Sequence, residues 1–198
     1  MTAFDITPYR DKLLAEHHHI CPRQILGLRM GLLAGKMLNV PLPDAHKRLF
    51  CFVETDGCFA DGVSVATGCA LGHRTLRLMD EGKIAATFVD LHGDVSRGLR
   101  VHPHADLRRR AVELMPQAQS RWHAMLDAYQ AMHDEELLCV QWVQLSVSLQ
   151  DIISRRKLRV LCARCGEEII NGRERVIEGE PVCAACADES YWHMLDRP

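Results

Sequence analysis

Apolar residues recur at helical spacing in several stretches of the chain and alternate or cluster in others. Residues 7–17 read as a short amphipathic helix and residues 22–38 as a longer one, with Pro22 suited to the first helical turn. Gly27, Gly31 and Gly35 recur every fourth residue along one ridge of that helix. Glycine costs a helix about 1 kcal/mol against alanine, so the ridge predicts another backbone packed very close, within the chain or in a second copy. Residues 47–55 form a short apolar strand, and residues 58–67 a short helix stopped by Gly68. Further strands are expected at 84–92 and 98–102. One long helix is expected over 105–133, carrying Leu107, Ala111, Leu114, Ala118, Trp122, Met125 and Tyr129 on its inner side. Residues 136–148 alternate partly and are taken as strand. Helices and strands mixed without regular alternation predict an α+β fold.

The basic run Arg155-Arg156-Lys157-Leu158-Arg159 reads as a solvated linker, placing a main domain at 1–154 and a small domain at 155–198. Composition then narrows the setting. The 198 residues include 24 Lys or Arg and 26 Asp or Glu, so no global field recruits nucleic acid or an anionic membrane. The opening Met-Thr-Ala-Phe-Asp lacks a basic region followed by an apolar run, and the most apolar stretch is interrupted by Arg29 and Lys36. A cytoplasmic protein without a membrane span is therefore expected. Nine cysteines, without a secretory signal, point to metal or thiolate chemistry rather than disulfides.

Four of those cysteines define the small domain. Cys162 and Cys165 form one C-x-x-C, Cys183 and Cys186 a second, with seventeen residues between. Each pair can turn both sulfurs onto one ion, and four thiolates saturate Zn²⁺ with no open position, so a structural zinc is expected. Asn171-Gly172 and Glu178-Gly179-Glu180 punctuate the intervening segment into a hairpin-like ribbon, and residues 188–195 are expected to close it as a helix. A piece of this size folds on metal rather than on buried apolar surface. From Arg155 onward eight Lys or Arg balance eight Asp or Glu, a poor footprint for phosphate. That argues against nucleic acid as the ribbon's partner.

A second group of metal-ligating residues lies in the main domain. His17-His18-His19-Ile20-Cys21-Pro22 precedes a helix, and His19 and Cys21 share a side if the segment is extended. A thiol at a helix N-terminus is expected to ionise more readily. Cys58 opens the next helix with Asp61 one turn on, and Cys69 sits in the Gly-flanked run 68–72. Taken singly, each cysteine reads equally well as a small buried hydrophobe.

Taken together, the motifs H-x-H-x-C-P (17–22), V-E-x-D-x-C-x-x-D (53–61) and T-G-C-x-L-G (67–72), with R-G-x-R-V at 97–101, resemble the FmdE family of formylmethanofuran dehydrogenase proteins. His18 and Arg23 stand where the family pattern has glycine, and Ala70 and His73 where it has threonine and lysine. The resemblance implies an α+β core built on an antiparallel sheet flanked by helices, a common C-terminal four-cysteine zinc ribbon, and dimers. It implies a metal near the first motifs, with His17, His19, Cys21, Cys58, Asp61 and Cys69 as candidate ligands. Imidazole with thiolate suits Zn, Ni, Fe or Cu.

Three functions follow as expectations. The first is a metal-binding accessory or redox protein, partnering a molybdenum or tungsten enzyme. The second is an enzyme in its own right with an open metal position. The third is an interaction module whose ribbon docks a partner protein or nucleic acid.

Overall fold

Pro22 at the first position and a left-handed Asn39 just beyond the end bracket the longest helix, residues Pro22–Leu38. This is the second α-helix (α2) of a computed structural model that describes residues 5–16, 18–153 and 157–193. The chain divides into two compact units, Met1–Leu149 and Gln150–Pro198.

The first unit starts with a 3₁₀ turn at Thr7–Tyr9 and α1 at Arg10–Glu16. After α2 come β1 (Leu49–Val53), α3 (Cys58–Thr67), β2 (Leu76–Leu78), β3 (Ala86–Asp90) and β4 (Arg97–Pro103). The unit ends with α4 (Leu107–Leu114), α5 (Arg121–Ala131), α6 (Asp134–Leu137) and β5 (Leu138–Gln144), with α7 (Leu149–Ile152) at its boundary. The strands form one sheet in the order β2-β1-β3-β4-β5. All pairs are antiparallel except β1 with β2, a short parallel edge. Every residue of β1 is buried, as its unbroken apolar run requires. Residues from α2, α3, α5 and the three central strands share one core around Phe59, Phe88 and Ile25.

The glycine ridge finds its close neighbour inside this chain. A Cβ on Gly27 would run into the Phe59 carbonyl and come within 2.9 Å of the Val63 nitrogen, both on α3. Gly62 of α3 is the reciprocal point, with the Leu28 nitrogen 2.9 Å from any added Cβ. Gly31 lies against Ala66 and Thr67, and Gly35 against Leu42. Helices α2 and α3 therefore touch backbone to backbone, so the ridge is explained without a second copy.

Two expectations are corrected here. The single helix over 105–133 is two, α4 and α5, separated by residues 115–120. Pro116 is the cause, because it disfavours helical geometry at Met115 and offers no N–H, and Ser120 then caps α5 by accepting from the His123 amide. The strand expected over 136–148 is confined to β5. His133 and Glu136 form a capping box that makes residues 134–137 helical first.

The second unit consists of two hairpins, β6 (Arg159–Leu161) with β7 (Glu168–Ile170) and β8 (Arg175–Ile177) with β9 (Glu180–Val182). Left-handed Asn171 and Glu178, each followed by a positive-φ glycine, make the turns that the sequence marks. The expected helix over 188–195 is replaced by a 3₁₀ turn at Ala185–Ala187, ended by left-handed Asp188. Residues 188–193 carry no helix, and 194–198 lie outside the described residues, as does the Arg155-Arg156 part of the basic run. No helix among the described residues is long and apolar enough to cross a membrane.

Candidate metal centres

The two hairpins of the second unit bring four thiols to one point. Cys162 follows β6 and Cys165 lies in the next turn; Cys183 follows β9 and Cys186 sits in the 3₁₀ turn. Their sulfurs all lie within 4.8 Å of one another. Cys165 and Cys183 are 3.9 Å apart, close to the edge of about 3.8 Å that a tetrahedron with 2.3 Å metal–sulfur bonds requires. The Cys183 amide donates to the Cys162 sulfur at 3.3 Å, and the Cys186 amide to the Cys183 sulfur at 3.4 Å. Donation from the Cys183 amide, joined by those of Cys165 and Arg164, holds the Cys162 thiol down to about 6. Cys186 is pushed up to about 12 by its bond to Cys183 and by burial. The Cys162 sulfur is thus prepared as thiolate while Cys165 and Cys186 resist a further negative charge until a cation compensates it. The donor set fits a metal ion, and this cluster can hold one.

The first unit assembles a smaller group. Cys21 is the residue capping α2, and its amide donates to the Gln24 side-chain oxygen at 2.9 Å. Gln24 is fully buried and spends its own amide on the Leu13 carbonyl, tying the cap to α1. Cys58 is the first residue of α3, reached through Gly57 at φ +79°. Because α2 and α3 pack backbone to backbone, their N-terminal ends meet and the Cys21 and Cys58 thiols interact. Burial pushes the Cys21 thiol up, and the Cys58 thiol adds to the rise. The lowered value expected for Cys21 is therefore corrected: loss of water outweighs the helix end. A cation between the two sulfurs reverses that balance.

Both thiols open onto a cleft of about 1090 Å³. His19 also lines it, exposed, with its ring centroid 6.2 Å from that of Trp122. Asp61, in the first turn of α3, is half-buried and already engaged with a partner. Cys69 lies elsewhere. It is buried, donates to the Leu49 carbonyl at 3.3 Å, and is held below the usual thiol range chiefly by hydrogen bonding to Cys51. Burial raises Cys51 well above that range. Cys69 and Cys51 thus form a separate pair rather than joining Cys21 and Cys58. His17 lies outside the described residues. Among the described residues, the four tail cysteines are the one group of three or more metal-ligating side chains drawn this close together.

Three features of the cleft escaped the sequence reading. Glu54 and Arg100, from two of the family-like motifs, form a two-pronged ion pair with both contacts at 2.7 Å. Glu54 is only 6% exposed, so its place in the motif is to fix Arg100 on the cleft wall. His102 and His104, at the end of β4, line the same wall. His104 donates from Nε2 to the Glu135 carbonyl at 3.1 Å, which leaves Nδ1 to accept from the Cys139 thiol at 3.1 Å. Alternation along residues 97–103 marks which β4 residues point to one face, but no sequence signal tells that Cys139 pairs with that face.

Comparison with known proteins bears on the family and the fold. Residues 16–139 match the family described as "FmdE, Molybdenum formylmethanofuran dehydrogenase operon". A relative from Archaeoglobus fulgidus, described as a "Probable S-adenosyl-L-methionine-binding protein", is 30% identical over 202 aligned positions. The alignment takes in 91% of this chain and 52% of the relative, so the chain spans about half the length of the curated relative it matches. The crystal structure of an FmdE-like protein of tungsten formylmethanofuran dehydrogenase from Syntrophus aciditrophicus superposes with a TM-score of 0.64 at 22% identity. That superposition covers 98% of this chain and all of the other.

Proposed function

We propose, from the premise that this chain belongs to the FmdE family by its match over residues 16–139, that it is a metal-binding accessory or redox protein of molybdenum- or tungsten-enzyme systems. The observation that carries this reading is the meeting of Cys21 and Cys58 at two helix N-termini on the wall of an open cleft, with His19 on the same wall. Two thiolates and an imidazole make a soft, incomplete ligand set suited to Zn, Ni or Fe, and three protein ligands leave a position for water or a substrate group. His17 and Asp61 are the nearest reserves along the chain. Cys69 enters only if it parts from Cys51. The tail, read as a domain of residues 155–198 after a core domain of 1–154, holds a structural zinc at Cys162, Cys165, Cys183 and Cys186. It either docks the partner enzyme or steadies the chain for it. We further propose a homodimer through the core domain.

The core site is tested by metal counting on protein purified without an affinity tag. Wild type is expected to carry one zinc that resists a mild chelator and a second metal that exchanges. Cys21→Ser with Cys58→Ser should abolish the second and keep the first. Equal metal content in the double variant and the wild type overturns the core site, and the accessory reading with it.

The archaeal relative's description supports a second reading, in which the cleft takes S-adenosyl-L-methionine. Titration with that compound decides it: saturable binding that Trp122→Ala weakens supports the reading, and no binding at millimolar ligand removes it.

A further inference from the structure

The wall of the Cys21–Cys58 cleft carries Lys83, Arg23, Arg100, Arg108 and Arg121, and no aspartate or glutamate. In a chain whose acids outnumber its bases, 26 to 24, that is a marked concentration of positive charge. Two of the five are already compensated, Arg100 by Glu54 and Lys83 by Glu81. Among the described residues, Arg23, Arg108 and Arg121 form no ion pair. Mutual repulsion of three such groups around one space is tolerated when an anion is their intended partner.

The backbone adds to the same field. First-turn residues of four helices line the cleft: Arg23 of α2, Cys58 of α3, Arg108 of α4 and Arg121 of α5. Each helix presents roughly half a positive charge at that end, although Cys21 and Ser120 already cap amides of α2 and α5. The guanidiniums and the helix ends therefore act in one direction, toward an anion.

The space has an apolar side as well. Trp122, on the first turn of α5, is 37% exposed, and Met125 and Tyr129 continue the same wall. An indole presented in this way is a platform for a flat ring. A bare phosphate ion would fill only a small part of 1090 Å³ and leave this side unused.

We propose that the cleft binds an organic phosphate ester bearing a planar heteroaromatic ring, the phosphates held by Arg23, Arg108 and Arg121 and the ring against Trp122. The proposal rests on reading the Cys21–Cys58 cleft as the functional site and names the class of compound that site receives.

The test is calorimetric titration of the full chain after chelator treatment, with adenosine triphosphate, inorganic pyrophosphate and adenosine as probes. The triphosphate should bind most tightly, pyrophosphate less, and adenosine not measurably. Raising the salt concentration should weaken the first two. Arg108→Gln and Arg121→Gln should each weaken both anions by about tenfold. Trp122→Ala should weaken the triphosphate and leave pyrophosphate unchanged. Arg173→Gln, in the tail, serves as the exposed control and should change nothing. The proposal is overturned if neither anion binds at millimolar concentration, or if adenosine binds as well as its triphosphate. It is equally overturned if the arginine variants match the control, or if Trp122→Ala leaves the triphosphate affinity intact. Repeating the titration on the Cys21→Ser, Cys58→Ser double variant separates this outcome from the metal reading. Anion binding that survives there stands on its own even if metal counting fails, and metal content that survives failed titrations leaves the metal reading in place.

Discussion

The two units of this chain hold themselves together by different means. In the first, a continuous apolar cluster runs from α2 and α3 through the sheet to α5 and β5, and the tightest contact is backbone against backbone at Gly27 and Gly62. In the second, Cys162, Ile169 and Val182 are the buried cluster, and one of those three is itself a candidate metal ligand. A unit with so little interior gains most from a bound ion, whereas a unit with a full core does not need one to fold. The difference underlies the roles proposed for the two thiol groups, structural for the tail cysteines and chemical for the core pair.

The largest break in this comparison comes from Gly62→Ala. The added methyl meets the Gln24 carbonyl and lies 2.9 Å from the Leu28 nitrogen, and neither backbone can retreat without separating α2 from α3. The variant should lose about 3 kcal/mol, lowering the main unfolding transition by about 10 °C, while the metal content of the tail stays as in wild type. A shift below about 2 °C would show that the two helices are not locked together as described.

Cys183→Ser probes the other side. Binding of a structural zinc contributes on the order of 10 kcal/mol to a small domain, and removing one of four thiolates forfeits most of it. Cys183 also accepts from the Cys186 amide, so two cysteines lose their geometry at once. The tail should release its zinc and become protease-sensitive, with the main transition of the first unit unmoved. Unchanged zinc content, or a tail that stays resistant, would count against the four-thiolate site.

What was legible in the sequence follows the same division. The tail's chemistry is local: two C-x-x-C turns and two glycine turns carry their geometry within a few residues, so both could be read directly. Helices α2 and α3 were legible because Pro22 marks the start of one and Gly68 the stop of the other. The cleft was legible only in part, since its walls come from segments far apart in sequence. Glu54 could be seen as a motif residue, but its partner Arg100 lies 46 positions away and no periodicity joins them. Cys69 shows the opposite error. The family resemblance groups it with the core ligands, yet the structure pairs it with Cys51. Pro116 was visible in the sequence and outweighs the apolar spacing that favoured one long helix over 105–133. A fixed proline φ acts on the backbone directly, whereas spacing only states a preference.

The smallest effect concerns how the two units respond to acid. Arg48, just before β1, grips Asp90 at the end of β3 through contacts of 2.8 and 2.6 Å. Hydrogen bonding to Arg48 holds the Asp90 carboxyl below its ordinary value of 3.8, assisted by the His92 amide. A carboxyl that is easier to ionise in the folded chain stabilises the fold above its unfolded value, and that contribution disappears as pH falls through the lower, folded value. Asp90→Asn should therefore cost about 1 kcal/mol at neutral pH, a modest figure because both side chains keep some solvent contact. Its deficit against wild type should narrow as pH drops below 3.8, since the native carboxyl then becomes neutral too. The tail obeys a different rule, because protons compete with the metal for its thiolates and not with an arginine for a carboxylate. Acid release of the tail zinc should thus follow the same pH curve in Asp90→Asn and in wild type. Denaturant unfolding of the first unit across this range, with zinc release followed in parallel, checks both halves. A deficit that stays constant into acid would mean that the Arg48–Asp90 pair acts through packing rather than charge, and a shifted zinc curve would mean that the two units do not answer to acid separately.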